Sequence, residues 1–423
     1  MVRDLTSGSP LRLIIQFTIP LMCGNFFQQF YNMADSIIVG QFLGVKPLAA
    51  VGATGCLNFL IIGFVLGVCS GFSIPIAQFF GAGDYKSLRR CVANAVWMGI
   101  AMTVVLTTAT VLGCRWILTL LQTPADIFED AYAYIVIIFA GIGTTFLYNL
   151  LSGFLRALGD SRSPLVFLII SSVLNVGLDL LFIAGFHTGV EGAALATVIA
   201  QGISGVLCLF YIIKKFPILR VSGSEWRLDA GQIRKLTGMG VPMGLQFSIT
   251  AVGSTILQSA VNVLGSGAVA AVTAGSKVQM ILTVPMETLG VTIATYAGQN
   301  LGAGKIERVQ AGVRQSLILG IGYAVVACII NIAVGTSIAR LFISGGEAAI
   351  MDQVGQFLWM NSLFYPLLAS LLVLRNAIQG LGFGVPAMAA GVFEMVARSL
   401  VALCLVSAFA FPAVCMANPA AWV

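Results

Sequence analysis

Two stretches of this chain are one stretch written twice, 221 residues apart. Leu43-Gly44, Ala49-Ala50-Val51, Ala53, Gln78 and Gly81-Ala82-Gly83 return as Leu264-Gly265, Ala270-Ala271-Val272, Ala274, Gln299 and Gly302-Ala303-Gly304. Ten identities hold this offset over about forty residues without a gap. Two further pairs lie close to it. Ile19-Pro20-Leu21-Met22 resembles Val241-Pro242-Met243 at 222, and Ala157-Leu158-Gly159 before Pro164 resembles Gly380-Leu381-Gly382 before Pro386 at 222 to 223. A period this long duplicates a domain-sized unit, not a solenoid turn. Whatever this chain folds into, it builds one half twice.

The medium of that fold follows from composition. Charged residues make up 9% and hydrophobic residues 58% of the 423, where soluble domains carry about 25% charged residues. Stretches long enough to cross a bilayer recur throughout. They predict spans at 11–43, 48–79, 91–112, 131–155, 164–184, 191–213, 238–263, 268–299, 312–335, 355–378 and 385–411. Six fall in the first copy. Adding 222 to the sixth predicts a twelfth at 413–435, beyond Val423, so the last helix is expected to be missing or truncated in this chain. The fold class is all-α integral membrane: two six-helix bundles, divided at the polar connection 214–237 into an N-lobe of residues 1–222 and a C-lobe of 223–423. An even number of spans per copy sets both copies the same way up, as parallel repeats about a pseudo-twofold along the membrane normal.

Basic residues collect on the cytoplasmic side of membrane proteins. One side carries Arg3, Arg12, Lys86, Arg89, Arg90, Arg156, Arg162, Lys214, Lys215, Arg220, Arg227, Arg234, Lys235, Lys305, Arg308 and Arg314; the other carries only Lys46, Arg115 and Arg340. The amino terminus is therefore expected to be cytoplasmic. The net charge of +6 is this loop bias and needs no nucleic-acid partner. The first apolar stretch is too long for a signal peptide and lacks a cleavage site. The nine cysteines have no paired or metal-type spacing and read as free packing thiols.

Ionisable groups inside spans are costly and are functional candidates by default. At ~1.5 Å per residue, Asp35 lies ~33 Å along span 1, Asp179 ~22 Å up span 5, and Thr197 ~9 Å into span 6 from its outer end. Asn175 is one turn below Asp179 on the same face. All four fall in the outer half of the first copy. Two carboxylates, an amide and a hydroxyl are hard oxygen ligands, suited to a proton or to Na⁺. The alternative is that the acids mark helix ends in the headgroup region. The repeat argues against this, because the second copy has Leu257 and Val401 at the equivalent positions.

Glu394 and Arg398, four apart, read as a self-neutralising pair, and Arg375 as a snorkelling side chain near the cytoplasmic end. Gln28, Tyr31, Asn32, Lys277 and Glu287 are candidates for a substrate cavity, with helix–helix hydrogen bonding as the alternative for the polar strip of span 1. Pro20 interrupts the hydrogen-bond ladder below that strip and is the candidate hinge, kinking span 1. His187, the single histidine, falls in a short outer loop. No HExxH, Walker A, GxSxG or CxxC pattern occurs, so no catalytic residue, metal-dependent hydrolysis or cofactor is expected.

Taken together, the paired Gln-x-x-Gly-Ala-Gly loops, Met33-Ala34-Asp35 with Val39-Gly40, and Gly192-Ala193-Ala194-Leu195-Ala196-Thr197 resemble the multidrug and toxic compound extrusion (MATE) family over essentially the whole chain. Asn175-x-x-x-Asp179 looks like its DinF-like branch. The resemblance implies a cation site at Asp35, Asn175, Asp179 and Thr197 and a functional proline at Pro20. It also implies H⁺- or Na⁺-driven antiport of amphiphilic, often cationic compounds by alternation of two lobes. The expected setting is a bacterial or archaeal plasma membrane, with a multi-pass monomer, the lipid bilayer and a small amphiphilic substrate as its partners. A lipid-linked precursor flippase of the same superfamily is the alternative. Such a protein is expected to carry several cavity cations, of which Lys277 and Arg398 are candidates.

Overall fold

The structure, a computed structural model, describes residues 4–340 and 348–423 and contains no strand among them. Arg3, counted above with the basic side, lies outside the described residues. The first copy comprises α1 (Pro10–Leu43), α2 (Val45–Gly81), α3 (Tyr85–Leu120), α4 (Phe128–Ala140), α5 (Ile142–Ala157), α6 (Arg162–Asp179) and α7 (Val190–Lys215). The second comprises α8 (Ala230–Val263), α9 (Ser266–Gly302), α10 (Ile306–Ala339), α11 (Ala348–Ser362), α12 (Tyr365–Gly380), α13 (Gly384–Leu400), the one-turn α14 (Val406–Phe409) and α15 (Phe411–Trp422). Among the described residues nine helices are long and apolar enough to cross a membrane, and two bent pairs bring the spans to eleven, as the sequence predicts.

Two spans differ from the straight helices expected. The fourth is α4 and α5, bent by 46° at Gly141, where a Cβ would run into Val198 of α7. The tenth is α11 and α12, bent by 49°. Pro366 in the first turn of α12 has no N–H to give to the carbonyl of Ser362 four residues back, so the helical ladder breaks where α11 ends. In contrast, α1 runs through Pro20 as one uninterrupted α-helix, so the expected break at that residue does not divide the element.

The duplicated loops have identical backbone bonding. At the end of α2, Gly83 N–H donates to the Phe80 carbonyl and Asp84 N–H to that of Phe79; at the end of α9, Gly304 donates to Leu301 and Lys305 to Asn300. This double bond closes a helix through a left-handed residue. Gly83 and Gly304, both at φ 70°, supply it without a Cβ penalty. The next helix starts at once, and Asp84 caps α3 by accepting from Ser87 N–H.

The copies pack through two antiparallel helix pairs. In one, α2 lies along α8: Gly71 faces Gly240, Gly67 faces Gly244, Ser248 Oγ donates to the Leu60 carbonyl at 3.0 Å, and Cys56 Sγ meets Thr255 Oγ1 at 2.7 Å. Small residues let these backbones approach closely. In the other, α1 bonds α9 through Thr18 to Thr292 and Asn25 to Thr288, each at 2.9 Å. Further out, α1 turns to its own copy, where Tyr31 reaches Thr197 of α7.

The largest buried apolar cluster runs from Ile38 to Leu236 and the next from Leu257 to Ala417. Large apolar side chains such as Leu112, Trp116 and Phe393 stand exposed, as a lipid-facing surface requires. The twelfth span expected at 413–435 has its counterpart in α15, which starts at Phe411 and packs on α11 and α13.

Candidate functional site

Asp179 is the last α-helical residue of α6, and the chain then widens into a π-helical turn, Leu180–Gly185. Such turns are rare and concentrate at functional sites. The second copy has one too, Val401–Leu405, at nearly the repeated position. Without an acid beside it, that turn is geometry alone. The wide turn leads to Gly189, at φ 67°, and then into α7. There Gly192 sits so close to Thr188 and Phe182 that a side chain has no room. This tight start fixes the register of α7 and brings Thr197, two turns in, against α6 and α1.

The four oxygen-bearing side chains predicted as a unit do come together. Asp35 and Asp179 lie within hydrogen-bonding reach of each other. Asn175 Nδ2 and the Tyr31 hydroxyl both donate to Thr197 Oγ1, each at 3.2 Å. Asn175 and Asp179 are fully buried. Asp35 Oδ1, both Asp179 carboxyl oxygens and Asn175 Oδ1 have no donor. Two ionised carboxylates have no proton to offer each other, so they bond only when they share one. Buried oxygens in this state are costly unless a proton or a cation joins them.

Tyr31, expected in a substrate cavity, belongs instead to this cluster. Tyr134 of α4 lies close enough to interact electrostatically with Asp35, Tyr31 and Asp179; the sequence held no signal for it beyond a polar group within span 4. Gln28, Asn32, Lys277 and Glu287 are exposed and make no part of the cluster. Pro20 lies fifteen residues below Asp35 on α1, ~22 Å along the axis.

The snorkelling expected of Arg375 does not occur. Its Nη1 donates to Glu394 Oε1 at 2.6 Å, and its side chain is 14% exposed. Nor is Glu394 simply the i,i+4 partner of Arg398. That contact is 3.7 Å, so the carboxylate is shared by two guanidiniums, with Arg375 the closer. A partner nineteen residues away, across a turn between two helices, is not visible in helical spacing.

A duplicated helical membrane protein with ionisable groups deep in its spans has the architecture of a transporter. The MatE family profile matches residues 20–181 and 242–404, two segments whose starts differ by the repeat offset of 222. The chain belongs to the MatE family and is thus a membrane transporter rather than an enzyme. The probable multidrug resistance protein YpnP of Bacillus subtilis (strain 168) is 33% identical over 383 residues, covering 90% of this chain and 84% of its own. The probable multidrug resistance protein NorM of Thermotoga maritima is 25% identical over 283 residues, 64% of this chain and 59% of its own. Solved structures agree in fold. An outward-facing multidrug resistance MATE family transporter of the MOP superfamily superposes with a TM-score of 0.92 at 22% identity, covering 100% of this chain and 94% of its own. A MOP superfamily transporter from Pyrococcus furiosus gives 0.92 at 22%, covering 99% and 94%.

Proposed function

We propose that the chain exports amphiphilic, often cationic compounds in exchange for an inward-moving cation, by alternating access of an N-lobe (1–222) and a C-lobe (223–423). The observation that carries this reading is the contact between Asp35 and Asp179 inside the membrane. A carboxyl pair that shares one proton is a proton carrier, and its free oxygens, with those of Asn175 and Thr197, are the natural first stop for the ion. Hydrogen-bonding reach between the two carboxyls suits a shared H⁺. Sodium remains the second reading, on the strength of the oxygen set alone. The names of relatives such as YpnP and NorM support drugs as the cargo over a lipid-linked precursor.

The excess of basic residues on one side supports a cytoplasmic amino terminus, and the bacterial relatives support a plasma membrane as the setting. The test is efflux of a fluorescent cationic dye from cells making wild type, Asp35→Asn or Asp179→Asn. Loss in both variants is expected; efflux retained in both sinks the coupling site. Vesicles energised with a proton or a sodium gradient decide the ion.

A further inference from the structure

A crevice of about 200 Å³ lies along the seam between the copies, walled by Ile15 and Ile19 of α1, Pro285 and Leu289 of α9, and Leu319 of α10. Its walls thus come from both copies. It continues the contact between α1 and α9, since Thr18 lines it and also meets Thr292. Pro285 lies about 200° around α9 from the exposed Glu287, so the crevice and that acid are on opposite faces of the helix. Beside it Ile318 and Ile321 of α10 stand exposed, as the lipid-facing side of a span does.

The polar groups on the walls are turned into the protein. The Thr18 hydroxyl is engaged by the Ile14 carbonyl at 2.8 Å and the Thr292 hydroxyl at 2.9 Å, and the Tyr323 hydroxyl donates to the Leu282 carbonyl at 3.1 Å. What remains presents hydrocarbon. An apolar void in water stays dry. In a bilayer the surrounding medium is itself hydrocarbon, and the lining of a void gains dispersion contacts only when a chain enters.

Arg12 stands where the polar end of such a chain would lie. It is three residues before Ile15 and seven before Ile19, on the same face of α1 and ~10 Å along the axis from Ile19. It is exposed, and its guanidinium has no partner among the described residues. It also sits in the first turn of α1, which holds no acid. The positive end of the helix dipole disfavours a cation there and favours an anion. An anion at Arg12 therefore answers both charges at once.

We propose that this crevice binds a phospholipid from the leaflet at the amino-terminal end of α1, with one acyl chain between α1, α9 and α10 and the phosphate on Arg12. Phosphate fits a guanidinium through two parallel charge-assisted bonds. The site bridges the two copies, and it does not depend on the export reading.

The test uses the full chain in nanodiscs containing phosphatidylglycerol with a diazirine midway along one acyl chain. After irradiation the labelled residues are mapped by mass spectrometry. Labelling is expected to concentrate on Ile15, Ile19 and Leu319 over Leu112 of α3, which is exposed to bulk lipid. Labelling no denser in the crevice than at Leu112 overturns the proposal in the wild type alone. Arg12→Gln should lower crevice labelling about five-fold, the worth of one cation at an anionic surface, and leave Leu112 unchanged. Unaltered crevice labelling in that variant overturns the phosphate contact and the proposal with it. Leu319→Trp, which gives the second copy the residue that the first has as Trp97, should fill the crevice and abolish labelling at Ile15 and Ile19. Labelling there that persists overturns the assignment of the chain. Dodecyltrimethylammonium, a cationic amphiphile, should leave the pattern unchanged; if it removes the label, the crevice holds a cargo tail and the proposal is wrong.

Discussion

Gln78 and Gln299 hold the same place in the two copies, and each donates its Nε2–H to a carbonyl of the other copy. Gln78 reaches Gly380 at 3.0 Å and Gln299 reaches Ala157 at 2.7 Å. The acceptors are themselves repeat equivalents, 223 residues apart. Between these bonds the glycines interlock, Gly81 lying on the carbonyl of Gln299 and Gly302 on that of Gln78. Three residues of the repeated motif thus have a physical task. The glutamine crosses between copies, the first glycine admits the other backbone, and the last closes the helix.

The interlock predicts the effect of a single added side chain. A Cβ at residue 81 meets backbone, which yields less readily than a flexible side chain. Overpacking of this kind costs about 1–3 kcal/mol, enough to shift a balanced two-state equilibrium by about five-fold or more. Spin labels at the exposed Lys86 and Glu307 positions should move apart in Gly81→Val, and likewise in Gly302→Val. Unchanged distances would show that the contact does not hold this end closed.

Thr197 accepts from Asn175 and Tyr31 together. Thr197→Val removes both bonds while keeping the shape of the side chain. Two donors lose their partner, at about 1–3 kcal/mol each where burial keeps water out. A lowered melting temperature and reduced dye efflux are expected, with Thr197→Ser restoring both. A Val variant as stable and active as wild type contradicts the geometry.

Much of this architecture is legible in the chain. Apolar run length places all eleven spans, because in lipid each span must satisfy its backbone internally and so must be a helix. The unit Asp35, Asn175, Asp179 and Thr197 was readable from depth along three helices. What was hidden is lateral. Tyr31 looks like its polar neighbours Gln28 and Asn32 until α7 supplies Thr197. Arg375 looks like a helix-end cation until the turn at residues 381–383 folds Glu394 back onto it. The bend at Gly141 depends on Val198, fifty-seven residues away, and a single glycine among 47 does not announce it.

On the basic face, Arg89 Nε donates to both carboxyl oxygens of Glu225 at 2.8 and 2.9 Å, anchoring the connection between the copies to α3. Burial pushes the Glu225 carboxyl up, but the Ser222 N–H and the Arg89 guanidinium more than offset it and hold it below the usual glutamate value. A depressed carboxyl stabilises the fold fully above its unfolded value, about 4.3, and ceases to as pH falls through the folded value. The melting-temperature gap between wild type and Glu225→Gln should be constant from about pH 8 to 5 and close below about 4.3. A gap that narrows near neutrality contradicts the assignment.

The amino-terminal segment is anchored to the second copy in the corresponding place. Arg308 donates to the carbonyls of Gly8 at 2.9 Å and Leu5 at 3.3 Å and to Asn300 Oδ1 at 3.0 Å, and Lys305 Nζ donates to the Thr6 carbonyl at 2.9 Å. Leu5 is buried, and its N–H donates to Gln299 Oε1 at 3.0 Å. The glutamine that reaches across to Ala157 with its nitrogen therefore takes its orientation from Leu5 through its oxygen. Releasing the segment should loosen the closure at a distance. Arg308→Gln is expected to speed hydrogen exchange at the Leu5 amide by ten-fold or more and to lengthen the 86-to-307 spin-label distance. Faster exchange at Leu5 with no change in that distance would separate the strap from the closure and leave the interlocked glycines as its whole cause.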